Sequence, residues 1–137
     1  MVQALTRQRQ ASSPQELWYA PDSRIETGGA AADALSIAEW ITSGAAGEAP
    51  DEMALFTALH TAAYRAGRTR HNKRAAEWRN RWQIVREYLV ERNLGLVHLM
   101  IKRYRSGVSD EDDLLSDGMY GLARAVERFN PWRGYRF

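Results

Sequence analysis

SDEDDLLSDGMYGLARAVERFNPWRGYRF, residues 109–137, decides the fold class, because it reads as one amphipathic helix followed by a basic, aromatic tail. Ser109 followed three residues later by Asp112 has the form of a capping box, and the acids 110–113 place negative charge at the positive end of a helix dipole. The end is marked by Asn130 before Pro131, since the proline ring disfavours helical geometry in the residue before it. Between these limits Leu115, Met119, Leu122, Val126 and Phe129 recur at alternating steps of four and three, one apolar stripe that should face a core. Leu114, Gly118, Gly121 and Ala125 form a seam of mostly small side chains beside it. Each helical glycine costs about 1 kcal/mol relative to alanine, which close backbone packing would offset. The remaining face carries Asp113, Ser116, Asp117, Tyr120, Arg124 and Glu127, a mixture that suits water or a partner.

Working backwards, Val90, Leu94, Val97, Ile101 and Tyr104 make another stripe. Leu96, Leu99 and Met100 widen it until the helix is apolar nearly all round, which predicts a place at the centre of a bundle. Lys102, Arg103 and Arg105 gather at its C-terminal end, where the dipole favours cations, and Gly107 releases the chain. Before it, Trp78, Trp82, Val85 and Leu89 repeat at helical spacing and predict a core face. Earlier still, Asp51 and Glu52 open a helix after Pro50, with Leu55, Phe56, Leu59, Ala62, Ala63 and Ala66 on one face, and Gly67 marks its end or a kink. A short helical pattern over 33–42 ends at the flexible joint SGAAGEAP (43–50). Residues 1–29, interrupted by Ser12, Ser13, Pro14, Pro21, Gly28 and Gly29, read as a mobile arm.

A chain of 137 residues with 45% hydrophobic content can bury one modest core, so one helical domain over 51–137 is expected, with 1–50 as a flexible extension containing a short helix. No cysteine is present, which removes disulfides and thiolate metal sites. No apolar run has the length of a membrane span, and the N-terminus lacks a signal-peptide core. A cytoplasmic location is the default. Net charge is only +2, yet Arg65, Arg68, Arg70, Lys73, Arg74, Arg79, Arg81, Arg86 and Arg92 crowd the middle of the chain against Glu77, Glu87 and Glu91. Such a field either attracts polyanions or is a solvated face laced with intrahelical ion pairs.

Catalysis finds no support in these residues. His60, His71 and His98 are far apart and lack any metal-protease spacing. His98, on its apolar helix, reads as a core or boundary residue. GGAAAD (28–33) lacks the lysine of a phosphate loop. Counted from Asp110, a calcium loop would need glycine where Leu115 stands and a bidentate acid where Gly121 stands. No metal, cofactor or small-molecule substrate is expected. The tail is more suggestive: Trp132, Tyr135 and Phe137 alternate with Arg133 and Arg136, giving flat rings for unpaired bases and guanidinium groups for phosphates.

Three blocks in order and spacing, NLGLVHLMIKRY (93–104), DDLLSDGMYGLARAVERF (112–129) and RGYRF (133–137), resemble region 2 of the bacterial RNA polymerase sigma factors of the sigma-70 family. A weaker likeness to region 1.2 and its spacer runs from about Asp51. The resemblance implies an all-α, antiparallel helical bundle of sigma-factor region 2 type, incomplete at its C-terminus. It also implies a non-catalytic role in transcription initiation: docking on core RNA polymerase and contributing to promoter recognition and opening. The contact with the clamp helices of the largest subunit would fall on Asp113, Ser116, Asp117, Met119, Tyr120 and Ala123. Family members commonly carry a polar amide where Met119 stands and a longer apolar side chain where Ala123 stands. Arg133, Tyr135, Arg136 and Phe137 would contact promoter DNA, weakly in this chain alone, because the segment that reads the minus-ten element would follow Phe137. Two other readings stay open: a truncated sigma-like module that binds polymerase as a competitor or regulator, and a plain basic helical nucleic-acid binder.

Overall fold

The computed structural model describes residues 16–44, 46–104 and 111–137, and among these it contains helices and turns but no strand. The helix α1 spans Gly28–Ser43, α2 Glu52–Arg68, α3 Asn72–Arg92, α4 Leu94–Tyr104 and α5 Glu111–Arg128. Short 3-10 turns at Ser23–Ile25 and Pro131–Arg133 flank them. The expected all-α bundle is what forms.

Local chemistry sets most of the boundaries. Asp51 caps α2 by accepting from the Ala54 N–H at 2.7 Å, and Thr27 caps α1 by accepting from the Ala30 N–H at 3.0 Å. Gly44, at φ 62°, ends α1 in the left-handed conformation that glycine adopts without strain. The stripe beginning at Val90 crosses from α3 into α4, and Asn93 separates the two helices. Its side-chain amide donates to the Leu89 carbonyl at 2.7 Å, a local bond that competes with helix continuation. The cap expected at Ser109 and Asp110, and the expected roles of Arg105 and Gly107, lie outside the described residues.

The centre of the bundle is α2, not α4. Leu55, Phe56, Ala58, Leu59, Ala62, Ala63 and Ala66 are all buried on it, and it is flanked by α1, α3 and both 3-10 turns. Its alanines explain the position, because a helix with small side chains lets neighbours approach on several sides. The helix expected at the centre, α4, sits at the edge on α5 and touches α3 only lightly. Val97 is buried there, but Leu96, Leu99 and Met100 are 47%, 58% and 59% exposed. Apolar composition all round shows that a helix can be buried on any side, not that neighbours exist to bury it. His98, expected at a core or boundary, is exposed as well.

Residues 16–29 also differ from the expected mobile arm. Ala20 and Ile25 are fully buried, the 3-10 turn packs on α2, and α1 begins at Gly28 rather than near Asp33. The prolines and glycines that interrupt any period there shape an extended strap and a helix start.

On α5, Leu122 and Val126 are buried while Leu115 and Phe129 pack partly against the same core, as the stripe predicts. Met119, on that stripe, is exposed. In the small-residue seam, Gly118 is tight: an added Cβ would lie 2.6 Å from Cγ1 of Val97 on α4. Gly121 has nothing within 4 Å of the same position. Val97 is β-branched and stiff at χ1, so it cannot swing aside. Gly118→Ala should therefore destabilise by about 1–2 kcal/mol despite the helix propensity of alanine, whereas Gly121→Ala should stabilise by up to about 1 kcal/mol. Urea unfolding of the two variants checks the contrast, and equal effects would refute close packing at Gly118.

Candidate functional site

Because Leu122 and Val126 fix one side of α5 against the core, the opposite side is turned to solvent. Asp113, Ser116, Asp117 and Tyr120 are exposed together there, with the Tyr120 ring 65% accessible. Arg124 Nη1 donates to the Tyr120 hydroxyl at 3.3 Å, and its guanidinium lies 5.9 Å from the ring centroid. That hydroxyl bond raises the guanidinium's already high pKa further. Ala123 is half-buried at the border of the face, beside Arg86 and Glu127. Glu127, read as part of the free polar face, instead accepts from Arg86 Nε at 2.6 Å and ties α5 to α3. The face open to a partner is thus the N-terminal two-thirds of α5, acidic with one aromatic ring.

The tail leaves α5 through a built turn. The Asn130 side chain accepts from the Trp132 N–H at 2.9 Å, Pro131 is buried, and Gly134 turns the chain at φ 81°. Tyr135 is 75% exposed, with Arg133 and Arg136 exposed on either side. Phe137, expected among the base-stacking rings, is turned inward. Its ring packs 5.3 Å from both Phe56 and Phe129, and its N–H donates to Glu52 Oε2 at 3.0 Å. Burying a third ring in that apolar cluster outweighs leaving it in water. Trp132 is half-buried too, so only Tyr135 offers an open ring.

The residue holding this junction is His60. It is buried on α2, where its Nδ1 accepts from the Ala20 N–H at 3.2 Å and its Nε2 donates to the Phe129 carbonyl at 2.8 Å. Only a neutral ring can accept on one nitrogen and donate from the other. Burial lowers its pKa to about 4, against the opposing pull of the Phe129 carbonyl. The Ala20 carbonyl accepts from Trp132 Nε1 at 3.0 Å. Arg24 covers the Trp132 ring at 4.9 Å, and Arg128 covers the Trp18 ring at 5.3 Å. The strap, α2 and the tail are therefore one hydrogen-bonded unit. A histidine four residues after Phe56 and three before Ala63, on an otherwise apolar face, was the signal in the sequence.

Residues 89–137 match the sigma-70 region 2 family model. Over this stretch the chain is similar to sigma-70 region 2. Its relatives include the RNA polymerase sigma-C factor of Nostoc sp. (strain PCC 7120), 42% identical over 52 residues, which are 38% of this chain and 12% of the relative. The probable RNA polymerase sigma-C factor of Synechocystis sp. (strain PCC 6803) is 40% identical over 53 residues, 39% of this chain and 13% of the relative. The RNA polymerase sigma-B factor of Nostoc is 38% identical over 55 residues, 40% of this chain and 17% of the relative. The matched stretch thus spans less than a fifth of these relatives. No solved structure matches the chain.

In the structure, the matched stretch comprises the end of α3, all of α4 and α5, and the tail. Between α4 and α5 it holds an open apolar groove of about 540 Å³, with Leu96, Met100 and Leu114 on its walls and Gly121 and Ala125 among the small residues lining it. Among the described residues no cluster of His, Cys, Asp and Glu is placed to hold a metal ion. No helix there is long and apolar enough to cross a membrane.

Proposed function

We propose that this chain acts in transcription initiation, docking its region 2 on core RNA polymerase without catalysing a reaction itself. The docking surface is the exposed face of α5, with Asp113, Ser116, Asp117 and Tyr120 at its centre and Met119 and Ala123 at its edges. It would meet the clamp helices of the largest subunit. The observation that carries this reading is that Asp113, Ser116, Asp117 and Tyr120, two of them acids, are exposed together on the side opposite Leu122 and Val126, where nothing in the monomer's packing calls for them. An acidic patch with one accessible ring offers charge for steering and an aromatic anchor for burial, the usual division of labour at an interface. Polymerase as partner also places the protein in the cytoplasm.

Promoter DNA would be touched by Arg133, Tyr135 and Arg136 at the end of the tail, where one open ring and two guanidinium groups are suited to an unpaired base and its phosphates. With Phe137 turned inward, a single ring remains, so affinity from this tail is low.

Retention on an immobilised clamp-helix fragment tests the docking surface. Asp117 is exposed, so Asp117→Arg leaves the fold intact and reverses one charge at the centre of the face. Retention should fall about tenfold relative to wild type, more than a solvent-screened rim charge would give. Equal retention of the two proteins would overturn docking by this face.

A further inference from the structure

The nine cations between positions 65 and 92 divide by what they touch. Arg65 Nη2 donates to the Thr27 carbonyl at 3.1 Å and binds α2 to the start of α1. Arg86 pairs with Glu127, Arg92 donates to the Pro50 carbonyl at 3.2 Å, Arg81 covers the Trp78 ring at 4.7 Å, and Arg79 is half-buried. Arg68, which lies over the Tyr64 ring at 5.1 Å, and Arg70, Lys73 and Arg74 have no polar partner among the described residues. All four are exposed, and among the described residues none of them forms an ion pair with a carboxylate. The intrahelical Arg–Glu pairs that would make this an ordinary solvated face are not formed there.

These four fall within seven consecutive positions, across the corner where α2 ends and α3 begins. Arg68 sits in the last turn of α2, where the dipole welcomes it. Lys73 and Arg74 occupy the first turn of α3, the positive end of its dipole, where cations oppose helix formation. No acid stands in that turn, and His71 at the cap position makes no side-chain cap bond. Helix stability alone would select the opposite charges. An external anion would relieve this arrangement.

We propose that the α2–α3 corner binds the phosphate backbone of duplex DNA without reading sequence, as a contact separate from region 2. Phosphates rather than bases are the target. The nearby rings of Tyr64 and Trp78 are already covered by Arg68 at 5.1 Å and Arg81 at 4.7 Å, which leaves no open ring for an unpaired base. Four exposed cations spread over this corner suit the repeated charges of a duplex backbone. The proposal does not rest on polymerase docking, because the corner lies outside residues 89–137 and shares no residue with the α5 face.

Fluorescence anisotropy of the full chain on a short labelled duplex lacking promoter sequence, titrated at several salt concentrations, tests it. The triple variant Arg70→Glu, Lys73→Glu, Arg74→Glu should bind at least about tenfold more weakly, and its log–log salt slope should shrink by about 2–3, near 0.9 for each phosphate it no longer neutralises. Its melting temperature should hold or rise, because acids at positions 73 and 74 now suit the helix dipole. Weaker binding then cannot be ascribed to unfolding. The pair Lys73→Gln, Arg74→Gln, which removes charge without reversing it, should fall between wild type and the triple variant. No measurable duplex binding by wild type, an unchanged slope in the triple variant, or tighter binding of polyglutamate than of the duplex would each overturn the proposal.

Discussion

Between pH 6.5 and pH 4 the wild-type protein should lose about 3 kcal/mol of stability that a His60→Gln variant does not lose. The reason is the neutral imidazole clamped between the Ala20 N–H and the Phe129 carbonyl. Its folded pKa is lowered from the ordinary 6.5 to about 4 by burial. Above pH 6.5 the ring is neutral in both states and folding is indifferent to pH. As pH falls below 6.5 the unfolded chain takes up a proton that the folded chain refuses, so stability declines, and the decline levels off below about pH 4, where both forms are protonated. The gap between the two values, at roughly 1.4 kcal/mol per pH unit, gives the stated size. A glutamine amide can also donate to Phe129 and accept from Ala20, so the variant keeps the two bonds in kind without titrating. Urea unfolding across this range, plotted as the difference between the two proteins, isolates His60 from every carboxylate. A flat difference curve would mean that the ring is open to water.

The same histidine shows where reading the chain runs out. Asp51, the apolar face of α2, the Trp78–Leu89 stripe and the two faces of α5 are all legible, because capping and helical periodicity are local and their signals lie within a few turns. His60 lies in plain sight on an apolar stripe. Its partners are forty positions upstream and sixty-nine downstream, and no local pattern announces such pairings. The strap escapes a reading by period for a related reason. Ala20 closes the short run that begins at Leu17 and Ile25 stands alone between polar residues, so neither belongs to a helical period, yet both are fully buried.

α4 illustrates the converse error. Its apolar residues lie nearly all round the helix, and that uniformity points to the centre. Periodicity measures what a helix can offer to neighbours, while burial depends on how many neighbours arrive, and α4 has α5 with little else. At the candidate site the outcome is mixed in the same way. The exposed acids of α5 follow from the position of its stripe, so spacing alone assigns them. It cannot assign Phe137, because whether an aromatic residue in a tail faces solvent or folds back depends on the rings of Phe56 and Phe129, and Phe56 is far away in sequence.

Phe56 should be the residue whose truncation costs most. It is fully buried at the centre of α2, with the Phe129 ring 4.7 Å away and the Phe137 ring 5.3 Å away. Phe56→Ala should lower stability by about 3–5 kcal/mol, toward the upper end of that range, because the cavity is walled by two other rings that cannot both collapse into it. Phe137→Ala removes a half-buried ring from the cluster's edge and should cost only about 1–2 kcal/mol. The functional consequence follows from geometry. The tail is held on α2 by the Phe137 ring and by its N–H to Glu52, and without Phe56 the ring loses its floor and the hydrogen bond its alignment. Hydrogen exchange at the Phe137 amide should therefore be slow in wild type and fast in Phe56→Ala, even under conditions where the variant remains folded and α3 amides stay protected. Should Phe56→Ala prove no more damaging than Phe137→Ala in urea, with the Phe137 amide still protected, the tail must be anchored by the Trp132 and His60 contacts alone, and the aromatic cluster would not be what positions Arg133, Tyr135 and Arg136.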